Sequence, residues 1–412
     1  METSVSLLTA KHALLMFGTI LAVGTGSGLI ARWVRIPDVV VFLLVGMLIG
    51  PGMTGLIDIK ADSAINQLIM IFGSSYILFD GGASIRLRVL KEVWITIVII
   101  ATLGVLITAA ITGLAAHYLL GLAPAVALLL GTVIASTDPA TLVPVFKQIR
   151  IRDRVAQTVM SESAFNDAMG AILTFTVLGV AMGTGSFSVG DALEDLFKQS
   201  LLGIAIGGGL GYLAALLISH EKFAFLAEFA PVVTLMAVIG AYMGADGMHA
   251  SGFMAVFVFG IMLGNQESLG FRLTQKEGDE LEDFILTTAL IMRMFIFILL
   301  GSQVDFSLMN HYLFGGVAVV IIFMLVARPL TVFLCALPDR RAKWSLKEML
   351  FMCWTRETGV IPGALAGILV GMKAPGAPII ASVTFIAILM TILIQATTTK
   401  WLAKELGLLI EH

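Results

Sequence analysis

Apolar residues run along this chain in blocks of roughly twenty, the length a helix needs to cross the hydrocarbon core of a bilayer, and polar residues gather in short gaps between the blocks. No gap is long enough to fold as a soluble domain. Thirteen spans follow from the pattern, at about 10–31, 38–55, 64–83, 93–119, 123–146, 155–182, 196–219, 224–245, 248–265, 281–303, 311–337, 349–372 and 376–402. The expected fold class is an all-α polytopic membrane protein with about 13 transmembrane helices. Several of these spans are short or interrupted, and the interruptions carry the chemistry.

Composition sharpens that picture. Of 412 residues, 58% are hydrophobic and only 13% charged, with a mean hydropathy of +0.99, so the protein works in or beside the bilayer. A net charge of -3 with dispersed basic residues argues against a nucleic-acid partner. Cys335 and Cys353 lie in or at the edge of apolar segments with no disulfide or metal-site spacing, and no His or Cys cluster points to a transition metal. No cofactor is expected.

Loop charge tests the span count independently. Loops after odd-numbered spans hold 18 basic residues, whereas the other side holds only Lys11, Lys60, Lys198 and Lys373. That bias fits the positive-inside rule if the odd loops and the C-terminus are cytoplasmic and the N-terminus is outside. The first span has no basic n-region or clear cleavage site, so it is expected to be a retained helix. A multi-pass protein of the cell (inner) membrane results.

The remaining basic residues, Arg293, Arg328 and Arg356, lie inside spans, as do the acids Asp80, Asp138, Glu162, Asp167 and Glu357. An ionised side chain at mid-bilayer costs at least ~2.5–3.5 kcal/mol on insertion scales, so such groups must pair, line a wet cavity or bind something charged. Glu228, Asp246 and Asp305 are nearer span ends, where interfacial water explains the last two. Glu228 and Arg293 are equally compatible with ordinary helix packing.

Two of the interruptions match each other. "TDPATLVP", Thr137–Pro144, in span 5 and "TRETGVIP", Thr355–Pro362, in span 12 both begin with Thr, carry a charge next and end with Pro seven residues on. Seven spans separate span 5 from span 12, and an odd offset inverts one copy relative to the other. Broken helices at matching places in inverted repeats point to a transporter site near the midplane. A break leaves like helix ends facing one another when two such helices cross, with positive partial charge at N-termini and negative at C-termini. Asp138 is expected to offset the N-termini and Arg356 the C-termini. The plainer reading, an N-cap followed by Pro in a kinked helix, is compatible with this.

"SESAFND", Ser161–Asp167, in span 6 supplies the oxygen ligands. Helical spacing sets Glu162 above Asn166 and Ser163 above Asp167, each at i,i+4, so four polar groups share a stripe. Hydroxyl, amide and carboxylate oxygens suit a small hard monovalent cation without choosing among such ions. Arg328 in span 11 stays protonated and is suited to neutralise Glu162, as an interhelical clamp. Asp167 then remains as the titrating group, open to competition between proton and cation.

These residues carry a resemblance. "STDPA", "ESAFND" and "ARPLTVF" in order and spacing, with "LFDGG" in span 3, make the chain similar over essentially its whole length to the monovalent cation:proton antiporter-1 family, the NhaP-type sodium or potassium:proton antiporters. The resemblance implies an antiporter fold of 13 helices with inverted repeats and two crossing broken helices, and a homodimer. It implies panel and dimerisation helices over 1–92 and, with a linker helix, over 183–310. A mobile core would take 93–182 and 311–403, leaving 404–412 as a cytoplasmic C-terminus. It places a monovalent cation at Asp167, Ser163, Thr137 and Asp80 with Asn166, and the structural ion pair at Glu162 and Arg328. One departure stands out: the family usually has glycine directly after the arginine of the span 12 break, and here Glu357 follows Arg356. Glu357 is open to three roles: neutralising Arg356, widening the cation site, or facing an aqueous funnel.

The expected function is therefore exchange of Na+ or K+, or Li+, for H+ by elevator-like alternating access. Asn166-Asp167 together with an arginine at position 328 favours electroneutral one-for-one exchange over the paired-aspartate, lysine-containing pattern of electrogenic relatives. Two other classes compete. A passive cation channel has no need of a titrating Asp beside a locked Glu–Arg pair, and an intramembrane aspartyl protease would have to press Asp80 or Asp246 into service. The protein is not expected to be an enzyme.

Overall fold

The computed structural model describes residues 5–34, 36–137, 151–183, 189–219 and 225–409, and among them the regular elements are helices, beside one isolated antiparallel bridge between Ile151 and Leu409. In chain order they begin with α1 (Val5–Val34), α2 (Asp38–Ile49) and α3 (Ala64–Ala83). Next, α4 (Leu87–Ile99) runs through a π-helical turn, Ile100–Gly104, into α5 (Val105–Leu120). There follow α6 (Pro124–Ala135), α7 (Asp153–Ala181), α8 (Val189–Ser219), α9 (Ala230–Gly247), α10 (Gly252–Gly264) and α11 (Gln275–Ser302). A second π turn, Phe323–Ala327, joins α12 (Phe306–Ile322) to α13 (Arg328–Ala336). After α14 (Leu346–Trp354) and α15 (Val360–Gly371), a third, Thr391–Ala396, joins α16 (Ala377–Met390) to α17 (Thr397–Glu405).

Each of the thirteen segments read from the sequence holds a helix, but length does not treat them alike. Among the described residues, eight stretches are long and apolar enough to cross a membrane, whereas Asp38–Ile49, Pro124–Ala135, Gly252–Gly264 and Val360–Gly371 are shorter apolar helices. Two of the short ones, α6 and α15, flank the breaks foreseen in spans 5 and 12.

Packing divides the helices into two neighbourhoods. One is built on α2 and α3 against α11 and on α10 against α3, α8 and α9. In the other, α5 packs on α6 and α12, α6 on α7, and α16 on α12 and α15. They meet where α3 and α11 touch α15 and where α10 and α3 touch α7. Small residues allow the closest approaches. At Gly260 of α10 a Cβ would collide with the Phe79 carbonyl of α3, and at Gly131 of α6 with the Ala109 carbonyl of α5. Neither obstacle is a flexible side chain, so Gly260→Ala is expected to cost ~1–3 kcal/mol by overpacking. A thermal melt of that variant in detergent checks this; an unchanged midpoint would mean that the two helices slide apart freely.

A polar network ties α4, α7 and α14 at one end. Asp339 accepts from the Thr96 hydroxyl at 2.6 Å and from the amides of Thr96, Arg341 and Ala342 at 3.2, 3.1 and 3.2 Å. Burial opposes its ionisation, but these bonds outweigh burial and hold the carboxyl below the usual aspartate value. Trp344 donates to Thr96 at 2.9 Å, and the Arg154 guanidinium lies 4.3 Å over the Trp344 ring while its Nη2 reaches Glu348 at 3.2 Å. Glu348 also completes a capping box with Ser345 at the start of α14. The starts of α7 and α14 are thereby fixed to α4, which holds the two site-bearing helices in register.

Candidate functional site

The break in span 12 is directly visible. α14 ends at Trp354, residues 355–359 are non-helical, and α15 starts at Val360. Pro362 falls in the first turn of α15, where a missing N–H costs nothing. In span 5, α6 stops at Ala135 and Ser136 is extended, as expected of hydroxyl residues ahead of an Asp-Pro pair. Asp138 lies outside the described residues, so the structure adds nothing to its expected role.

Helix ends formed inside the bundle need partners for their backbone groups. In span 12, Thr355 donates both its N–H and its hydroxyl to the Phe351 carbonyl, each at 2.9 Å, and the Arg356 N–H meets Trp354 O at 2.9 Å. The Met352 carbonyl accepts from Arg328, Nε at 3.0 Å and Nη2 at 2.7 Å. On the far side of the break, Thr358 N–H donates to the Thr391 hydroxyl in the π turn of span 13 at 3.0 Å. Arg356 reaches across to the other broken helix, donating Nη2 to the carbonyl of Ala135, the last residue of α6. Its guanidinium lies 5.5 Å from the ring of Phe323 in the span 11 π turn. Arg356 thus sits at the C-terminal ends of α6 and α14 together, the position of negative partial charge.

Glu162 and Arg328 form a bidentate pair, Nη1 to Oε1 at 2.5 Å and Nη2 to Oε2 at 2.8 Å, with both side chains only 2% and 1% exposed. Asn166, one turn along α7, donates Nδ2 to Glu162 Oε1 at 3.1 Å. Its Oδ1 is buried and accepts no hydrogen bond among the described residues. An amide oxygen has the chemistry of a hard-cation ligand. The Thr137 and Ser163 hydroxyls lie 2.9 Å apart, bridging the span 5 break to α7.

A narrow cleft lies at this crossing, lined by Thr137, Glu162, Ser163, Arg328, Arg356 and Glu357, with Thr355 and Val159. Thr137, Glu162, Ser163, Arg328, Arg356 and Glu357, singled out in the sequence, therefore converge. Asp167 is buried on the Ser163 stripe and interacts electrostatically with Arg356, but does not line this cleft. Asp80, half-buried in the last turn of α3, does not line it either; its neighbour Gly81 lies against Ala164 of α7. Asp246, Asp305 and Glu228 are exposed and apart from the crossing. Sequence reasoning missed Thr355, Thr391 and the Met352 carbonyl. Only Thr355 carried a signal, as the residue aligned with Thr137 in the repeat. No group of three or more His, Cys, Asp or Glu among the described residues is arranged to hold a metal ion of the multi-ligand kind.

Comparison with known proteins identifies the family. Residues 18–405 match the family described as sodium/hydrogen exchanger, transmembrane. The chain is 33% identical to Na(+)/H(+) antiporter 1 of Methanocaldococcus jannaschii over 94% of each chain. To the K(+)/H(+) antiporter NhaP of Alkalimonas amylolytica it is 30% identical, covering 95% of this chain and 67% of the relative. A solved structure of the sodium proton antiporter MjNhaP1 from M. jannaschii at pH 8 superposes with a TM-score of 0.81 at 32% identity, over 95% of this chain and 97% of that one.

Proposed function

Because the chain belongs to the sodium/hydrogen exchanger family, and is accordingly a multi-pass cation:proton antiporter and not an enzyme, we propose that it exchanges Na+ or K+ for H+ one for one, by movement of a core against a panel. The observation that carries this reading is the crossing itself. Arg356 of one broken helix holds the C-terminal carbonyl of the other, beside the Thr137–Ser163 hydroxyl pair and the locked Glu162–Arg328 pair. Such a site offers oxygen ligands on elements that belong to both repeats, so movement of one neighbourhood past the other carries Thr137, Ser163, Asn166 and Asp167 together.

Asp167 is the group that takes either ion. Ser163, Asn166 and Thr137 complete the coordination, with Asp80 reached from α3. Glu162 is removed from the competition by an arginine that does not deprotonate, which leaves one carboxylate serving both ions and makes exchange electroneutral. The core is formed by residues 93–182 and 311–403, and the panel by 1–92 and 183–310. α1 and α9 are the least enclosed of the long helices, with apolar side chains such as Leu14, Leu15, Val232 and Met236 outward, which suits lipid and a second copy in a homodimer. The odd loops and the C-terminus are cytoplasmic by their charge, in the cell membrane.

Proteoliposomes with an imposed pH gradient test the reading. Adding LiCl, NaCl and KCl in turn is expected to dissipate the gradient for at least one cation, at a rate indifferent to membrane potential. Cation flux that needs no proton gradient would mean a channel, and acceleration by a potential would remove one-for-one exchange.

A further inference from the structure

Two carboxylates line the cleft at the crossing. Glu162 is committed on both oxygens to Arg328 and on one of them also to Asn166. Glu357 is the other, fully buried in the non-helical stretch between α14 and α15. It shares the cleft with the hydroxyls of Thr137 and Ser163. The charged groups facing that cleft are Glu162 from α7, Arg328 from α13, and Arg356 from its own segment, while span 13 contributes the neutral Thr391 at the neighbouring Thr358. Arg356 donates Nη2 to the Ala135 carbonyl, and its guanidinium lies 5.5 Å from the Phe323 ring.

Resting on the antiport reading above, we propose that Glu357 is a ligand of the transported cation, a second carboxylate that approaches the Thr137 and Ser163 hydroxyls from the span 12 side while Asp167 lies one turn beyond Ser163 on α7. Hard cations take oxygen ligands, and the number of charged ligands sets how tightly a site of this kind binds. A carboxylate beside the Thr137 and Ser163 hydroxyls adds a charged ligand on that side, so Glu357 strengthens cation binding beyond what Asp167 supplies alone. Its position on an unwound segment also lets it follow the ion without breaking a helix. Glu357 then sets cation affinity and the preference among cations, and Asp167 carries the proton.

The purified full-length protein tests this by thermal unfolding and by transport. Titration with NaCl, KCl or LiCl, with choline chloride holding ionic strength constant, reads binding as a rise in melting temperature. Glu357→Gln keeps the side chain's shape. It is expected to move the midpoint of that rise to about tenfold higher cation, and to raise the apparent KM for uptake in proteoliposomes by a similar factor. kcat should change by less than about threefold, which a merely structural defect would not spare. Glu357→Asp retains the charge and guards against a Gln variant that fails to fold. It is expected to alter the ratio of the Na+ and K+ midpoints, because the carboxylate is one methylene shorter. Wild-type midpoints and KM in Glu357→Gln, or an unchanged ion ratio in Glu357→Asp, would overturn the proposal while leaving antiport at Asp167 intact. Wild-type protein that gives no proton-coupled uptake at all would instead remove the antiport reading.

Discussion

Asp167→Asn is expected to abolish pH-gradient-driven cation uptake while leaving a folded protein. The side chain is buried on α7, on the same stripe as Ser163, and it interacts electrostatically with Arg356 at the crossing. Asparagine keeps its size and one oxygen but neither carries a negative charge nor takes up a proton at working pH. Exchange by competition for one carboxylate requires both properties, so the loss should be complete and not a shift in KM. Uptake by reconstituted mutant protein, compared with empty liposomes, measures it, and the elution profile and melting temperature check the fold. Sustained proton-coupled uptake by this variant would move the exchanging group elsewhere, with Asp80 and Glu357 the next acids to test.

The second large effect concerns stability as much as transport. Removing one partner from a buried, hydrogen-bonded ion pair leaves the other charge without compensation, at a cost of ~3–5 kcal/mol. Glu162→Gln and Arg328→Ala should both fall in that range, and Arg328→Ala should be the worse. Its guanidinium also satisfies the Met352 carbonyl at the end of α14, so its loss orphans a helix terminus in span 12 as well as Glu162. Glu162→Gln loosens Asn166 in addition, since Asn166 Nδ2 donates to the same carboxylate. Thermal melts of both single variants and of the double variant give the coupling between the two residues. Additive effects would mean that the pair does not act as a unit, despite its geometry.

Much of this protein is legible in its sequence. Membrane class and all-helical architecture follow from the length and apolarity of the runs, because backbone groups in hydrocarbon must be satisfied within each segment. The inverted pair of breaks is read from "TDPATLVP" and "TRETGVIP", since Pro and hydroxyl residues act on the backbone locally. The stripe on α7 is read from 3.6-residue spacing alone, and the clamp between Glu162 and Arg328 from the cost of leaving either charge unpaired. What the tertiary structure decided is where the ends of broken helices find partners. That Arg356 reaches the Ala135 carbonyl 221 positions away, that Arg328 also holds Met352, and that Thr391 of a π turn receives the Thr358 amide are matters of three-dimensional approach. Sequence spacing reports only neighbours within one helix, whereas a crossing is made by helices far apart in the chain. For the same reason the sequence left three roles open for Glu357, and only the packing of span 12 against α6 and α7 put that carboxylate in a cleft with Thr137 and Ser163.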